Sequence, residues 1–275
     1  MTCRSAVALT VSVALLGACA QQPPNTAPTT VPALLERVMP TPVLLLGEQH
    51  DAPEHQALQR DVVLALGARG QLGALVMEMA EQGRQTTGLP ADASEARVRE
   101  ALAWTDDAAT GWPWATYGPV VMAAVRAGAP VLGGNLPRSQ MRAAMGNAAL
   151  EGRIGSAALQ EQREGIRSGH CDLLPEGQIG PMTRIQLARD DAMARTTVAA
   201  VEKAGAGKTV VLVAGNGHVR RDLGVPLYLP KALEHRVVMA QAGGPRAATP
   251  SDAVWLTPPQ PARDHCAELR QQFKR

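Results

Sequence analysis

Aromatic side chains are scarce in this sequence: four Trp, two Tyr and one Phe among 275 residues. Any ring that turns up at a pocket was therefore not supplied by abundance. Net charge is scarce as well. Lys and Arg total 27 against 25 Asp and Glu, leaving +2, so no broad basic surface exists for nucleic acid. Long hydrophobic runs are missing too. The run from Ala6 to Leu16 falls short of the roughly 20 apolar residues that a bilayer-spanning helix needs.

That short run has a different meaning at the N-terminus. Arg4 precedes it, and Leu16-Gly17-Ala18-Cys19 follows. A basic start, a short apolar stretch and small residues before a cut site describe a secretory signal. The last four residues also match a lipobox, in which the cysteine receives the lipid. Cys19 is thus the expected lipidation site, residues 1–18 the signal peptide, and 19–38 the lipidated cysteine and its tether. From Ala20 to Thr30 the chain is polar and proline-rich, a composition that cannot bury a core. A membrane partner through this lipid and a cell-envelope location follow as expectations. Ala20 after the cysteine favours the outer membrane over the inner.

Cysteine is sparse at four residues. With Cys3 removed with the signal and Cys19 lipidated, Cys171 and Cys266 remain. In an oxidising compartment a disulfide between them is the simplest expectation. Two separate buried thiols, or a metal ligand at His170-Cys171, are the alternatives.

Residues 39–275 are long enough for one core, at the upper end of the usual size range. Short apolar runs punctuate them: Val43 to Leu46, Ala74 to Met77, Pro130 to Leu132, Thr209 to Val213 and Arg236 to Met239. They lack polar alternation, which fits strands buried on both faces of a parallel or mixed sheet. Helical spacing follows from Pro53 to Arg69, from Pro119 to Arg126, and over a long stretch from Ser139 to Lys203. Alternating strand and helix predicts an α/β fold with a central, mostly parallel or mixed sheet flanked by helices and a helical insertion before the last strands.

Each of the first four runs delivers a polar group at its C-terminal end. Gly47-Glu48-Gln49-His50 follows the first, Glu78 the second, Gly133-Gly134-Asn135 the third and Gly215-Asn216-Gly217-His218 the fourth. That edge is where open α/β sheets bind ligands. Two of the motifs place glycine three residues before histidine, where glycine permits a tight turn. Glu48, His50, Glu78 and His218 form a candidate metal or acid/base cluster, with Asn135 and Asn216 as pocket residues.

These motifs resemble those of the ChaN family of haem-binding lipoproteins, in the superfamily that also holds Tiki proteases and erythromycin esterases. The resemblance rests on Gly47 to Asp51, Val76 to Met79, Asn135-Leu136-Pro137-Arg138, and Gly215 to Asp222 with Gly224-Val225-Pro226. It spans roughly Pro42 to Gln241. It implies haem as cofactor, a role in haem uptake and a homodimer linked to haem binding. A tyrosine phenolate suits ferric iron in a transport site, and the chain offers only Tyr117 and Tyr228. Tyr117 lies in the Trp-rich segment Trp112-Pro113-Trp114-Ala115-Thr116-Tyr117. It is the expected iron ligand, with Trp112 and Trp114 as walls, while Tyr228 reads as core. Arg138, Arg220 and Arg221 are the candidates for the haem propionates. Tiki-like relatives use paired G-x-x-H motifs for metal-dependent hydrolysis, so a divalent metal with Glu48 or Glu78 activating water is the alternative. A non-catalytic envelope scaffold is the third reading.

Overall fold

The computed structural model describes residues 27–106, 111–244 and 250–272. The signal segment and Cys19 lie outside the described residues. Six strands form one sheet: β1 (Val43–Glu48), β2 (Leu72–Glu81), β3 (Val131–Asn135), β4 (Thr209–Gly215), β5 (His235–Ala242) and β6 (Ala253–Thr257). Their spatial order is β3-β2-β4-β1-β5-β6, and every pair is parallel.

The apolar runs are strands because both faces of the sheet are covered. Leu44, Leu46, Leu75, Met77, Val211 and Val213 pack on one face against Leu58 and Val62 of α2 (Pro53–Ala68) and Val121 and Val125 of α4 (Trp114–Arg126). The alternate residues Val43, Leu45, Ala74, Val76, Val210 and Leu212 pack on the other face against Met193, Ala194 and Ala200 of α7 (Glu176–Ala204). A period of two thus sorts each strand between two cores, and each fully buried Val or Leu contributes about 1.5–3 kcal/mol.

The crossovers set the switch point of the sheet. From β1 the chain moves to β2 and then β3, carrying α2 and α4 over one face. It then reverses to β4 and β5 with α7 on the other face. Neighbouring strands β1 and β4 therefore send their connections to opposite faces, which makes their C-terminal ends the switch point of the sheet.

Several elements differ from expectation. The helix α1 (Val31–Val38) occupies part of the stretch assigned to the tether, and Leu34, Leu35 and Val38 are buried in the core. The globular part therefore begins near Thr30, whose hydroxyl caps α1 by accepting from the Ala33 N–H. The expected helix at Pro119 begins earlier, at Trp114, and absorbs the proline. The edge strand β6 was not among the expected strands, although Val254-Trp255-Leu256 is a short apolar run. The helical insertion resolves into α5 (Met141–Gly146), α6 (Ser156–Gly169), α7 and short 3-10 turns, while α3 (Glu95–Leu102) precedes α4 and α8 (Asn216–Val219) follows β4. The Cys171–Cys266 disulfide is formed, with Cα atoms 5.7 Å apart, and ties α9 (His265–Gln272) to the turn between α6 and α7. Among the described residues no helix is long and apolar enough to cross a membrane.

Candidate functional site

Strand alternation decides where each acidic residue points. Glu48 continues the row of Leu44 and Leu46, so it faces α2 and α4. There it accepts four hydrogen bonds. Oε1 takes the Tyr117 hydroxyl at 2.7 Å and His50 Nδ1 at 2.6 Å, and Oε2 takes Gln56 Nε2 at 2.7 Å and Gln59 Nε2 at 2.6 Å. Gln56 and Gln59 lie one helical turn apart on α2, which is why both reach the same oxygen.

Glu78 continues the row of Ala74 and Val76, so it faces α7 instead. Its Oε1 lies 3.3 Å from His218 Nε2, and Oε2 accepts the Gly215 N–H at 2.8 Å. On its far side His218 Nδ1 meets Asp190 Oδ1 of α7 at 2.6 Å, and Gln186 Nε2 touches the ring at 3.1 Å. Asp190 has no exposed surface. Burial alone would lower the His218 pKa, but the carboxylates of Glu78 and Asp190 outweigh it and push the imidazole up to about 10. Burial likewise opposes ionisation of Glu78, yet the charge and hydrogen bond of His218, with His50 beyond, hold it at about 2. Burial raises Asp190 to about 6 despite the same imidazolium. The trio is an imidazolium held between two carboxyl groups.

His50 links the two faces across the sheet edge. Nδ1 is tied to Glu48, while Nε2 stands 3.9 Å from Glu78 Oε2. Its side chain is 42% exposed, against 6% for His218. Desolvation lowers its pKa, but the bond to Glu48 and the charges of Glu78 and Glu48 leave it raised. The paired glycines serve this geometry by being small rather than by turning. A Cβ on Gly215 would stand 2.8 Å from His50 Nε2, and one on Gly47 would stand 2.4 Å from Asn216 Oδ1. Neither adopts positive φ.

Beside this network a cavity of about 440 Å³ opens above the ends of β2 and β3. Glu78 and Asn135 form part of its floor; Met79, Leu136, Met141, Trp104 and Trp112 line its walls, and Arg84, Arg138 and Arg189 supply cations. The Trp112 ring stands edge-on to His50 at 4.7 Å, so the histidine abuts the cavity through Trp112 and Glu78.

The structure brings Glu48, His50, Glu78 and His218 together at one edge. It arranges them as a hydrogen-bonded charge network instead of the expected metal ligand set. Both Glu48 oxygens already receive donors, and among the described residues no group of three or more His, Cys, Asp or Glu is arranged to hold a metal ion. Asn135 fixes the Glu78 backbone by donating to its carbonyl at 2.8 Å. Asn216 leaves the cavity and donates to the Ala240 carbonyl at 2.7 Å.

Four residues expected at the haem site are placed differently from that expectation. Tyr117 is 1% exposed, and burial beside Glu48 raises its pKa far above the usual phenol range. Its hydroxyl is a donor locked on Glu48, the opposite of an available phenolate. Trp114 packs onto α4, where Gly118 leaves room for its indole; Trp104, unremarked in the sequence, takes the wall position beside Trp112. Arg220 pairs with Glu161 and Asp222, and Arg221 with Asp252 and His235, all away from the cavity. Asp190, Gln186, Gln56 and Gln59 were also missed. Each is one of several polar residues on its helix, and only the fold shows which carboxylate or ring it meets.

Comparison with known proteins places this geometry. Among solved structures, ChaN of Campylobacter jejuni, reported with cofacial heme binding, matches at 22% identity and a TM-score of 0.64, covering 82% of this chain and 89% of that one. That likeness establishes the fold. The type III effector HopBA1 matches at 14% identity and a TM-score of 0.42, covering 84% of this chain and 94% of that one, too distant to support an argument. No curated protein matches. A family profile described as haem-binding uptake, Tiki superfamily, ChaN, matches residues 34–229, a span that contains the whole strand-end network. The chain belongs to the ChaN family.

Proposed function

We propose that this chain binds haem in the cavity above β2 and β3, with His50 Nε2 as the iron ligand, and serves haem or iron uptake at the cell envelope. The observation that carries the reading is His50 itself. Its Nδ1 is fixed by Glu48 at 2.6 Å, which sets the tautomer and leaves Nε2 as the basic atom. A carboxylate behind a ligating histidine is a recurring arrangement at metal centres. The residues present suit a flat amphipathic group: two indoles, two methionines and two leucines for the ring, and arginines for its carboxylates. Bound haem would supply an iron centre for carriage. Glu48 would orient His50, and Tyr117, Gln56 and Gln59 would hold Glu48 in turn. Anchoring through a lipid on Cys19, and two copies meeting over their haems, complete the proposal.

Titration of the purified protein with hemin, set beside metal analysis, tests this reading. A saturable Soret band supports it. Stoichiometric divalent metal with hydrolytic activity and no Soret band would replace it with the hydrolase reading.

A further inference from the structure

Arg189 lines the cavity from α7, one residue before Asp190. Asp190 and Gln186 turn toward His218. The Arg189 Nε is fully buried, and among the described residues it has no hydrogen-bond acceptor. A buried donor on a charged group without a partner costs about 1–3 kcal/mol or more. No hydrogen bond through Nε therefore holds the guanidinium of this cavity-lining residue within the chain.

The carboxylates of the cavity have other partners. Glu78 is engaged by His218 and by the Gly215 N–H, and Glu81 Oε1 accepts the Arg138 backbone N–H at 2.9 Å. Three arginines stand against these two acids in the lining, and the charge of Glu78 is already balanced by its imidazolium. The cavity therefore has a surplus of positive charge beside apolar walls. That matches a ligand with a flat apolar body and a carboxylate at its edge. Arginine also presents its N–H groups as a planar fork, which a carboxylate can meet with two parallel bonds.

We propose that Arg189 is the carboxylate anchor of this cavity, its guanidinium donating to one propionate of the bound porphyrin. The assignment rests on the haem reading above and goes beyond it. Arg189 takes the role that the sequence suggested for Arg220 and Arg221, both engaged elsewhere.

The test compares hemin with hemin dimethyl ester, which keeps the iron and ring but loses both carboxylates. Each is titrated into the native protein, Arg189→Gln and Arg189→Lys, with melting temperature measured in parallel. Arg189→Gln should weaken hemin about ten- to hundredfold, the range of a charge-assisted hydrogen bond. It should leave the affinity for the ester unchanged. Arg189→Lys, which keeps the charge and loses the fork, should fall between. Arg189→Lys keeps the charge beside Asp190 and should melt with the native protein, while Arg189→Gln gives up that attraction and should melt only slightly lower. Hemin bound normally by Arg189→Gln, or hemin and ester weakened equally, would overturn the anchor while leaving haem binding intact. No hemin binding by the native protein would overturn the haem reading and the anchor with it.

Discussion

At the scale of single residues, the site is organised around two buried carboxylates with different partners. Glu48 collects neutral donors and one imidazole, so its loss strands them all. Glu48→Leu leaves Gln56, Gln59 and the Tyr117 hydroxyl buried without an acceptor, and should destabilise by about 3–5 kcal/mol. Tyr117→Phe removes one donor among four and should cost only about 1 kcal/mol. Urea unfolding of both variants checks the ratio; equal losses would mean Glu48 is not the hub.

The Glu78–His218–Asp190 trio makes stability depend on pH in a defined window. His218 rises from 6.5 to about 10 on folding, so its contribution is complete below 6.5 and disappears as pH climbs through 10. Glu78 falls from 4.5 to about 2, so its contribution is complete above 4.5 and disappears as pH falls through 2. Asp190, raised from 3.8 to about 6, acts oppositely and subtracts stability as pH rises across that interval. Above pH 6.5 only the His218 contribution still changes within the trio. Unfolding midpoints should therefore decline from pH 7 toward 10 in the native protein, and that decline should flatten in His218→Gln. Parallel slopes in the two proteins would remove the imidazolium from the account.

At the scale of elements, the sequence was legible where one rule decided the outcome. Five strands were visible because parallel strands buried on both faces are apolar throughout, as Val43 to Leu46 and Val210 to Val213 are. The strand-end acids were visible because each follows such a run directly. Asp190 was not, because it is one of many polar residues in a helix of 29 residues and meets His218 only through the crossover of α7. The glycines were noticed for a reason that the fold revises. Gly215 makes room for His50, so Gly215→Ala should push the ring from its seat and weaken hemin about tenfold, while the backbone at φ −57° accepts alanine without strain. An unchanged hemin affinity would show that the close approach does not matter. The Cys171–Cys266 bridge was reached by elimination among four cysteines. Closing a loop of 95 residues, it should contribute about 4.7 kcal/mol in the chain-entropy model. Paired serine substitutions, followed by urea unfolding, measure it.

At the scale of the whole molecule, the cavity lies above the ends of β2 and β3, beside the strand-end network, and its walls come from segments far apart in sequence. That distance is why the Trp-rich segment misled: proximity in sequence joined Trp112, Trp114 and Tyr117, while the fold put only Trp112 on the cavity and brought in Trp104. If the N-terminal segment anchors the domain as proposed, Cys19→Ala should move the protein from the membrane fraction to the soluble one. A processed variant still in the membrane would place the anchor elsewhere. The central claim, that the histidine held by Glu48 receives haem, is tested most directly by the Soret spectrum of the hemin complex in two variants side by side. The account predicts that His50→Ala loses or shifts the band while Tyr117→Phe keeps it. A band unchanged in His50→Ala and lost in Tyr117→Phe would contradict the account and return the iron to the tyrosine.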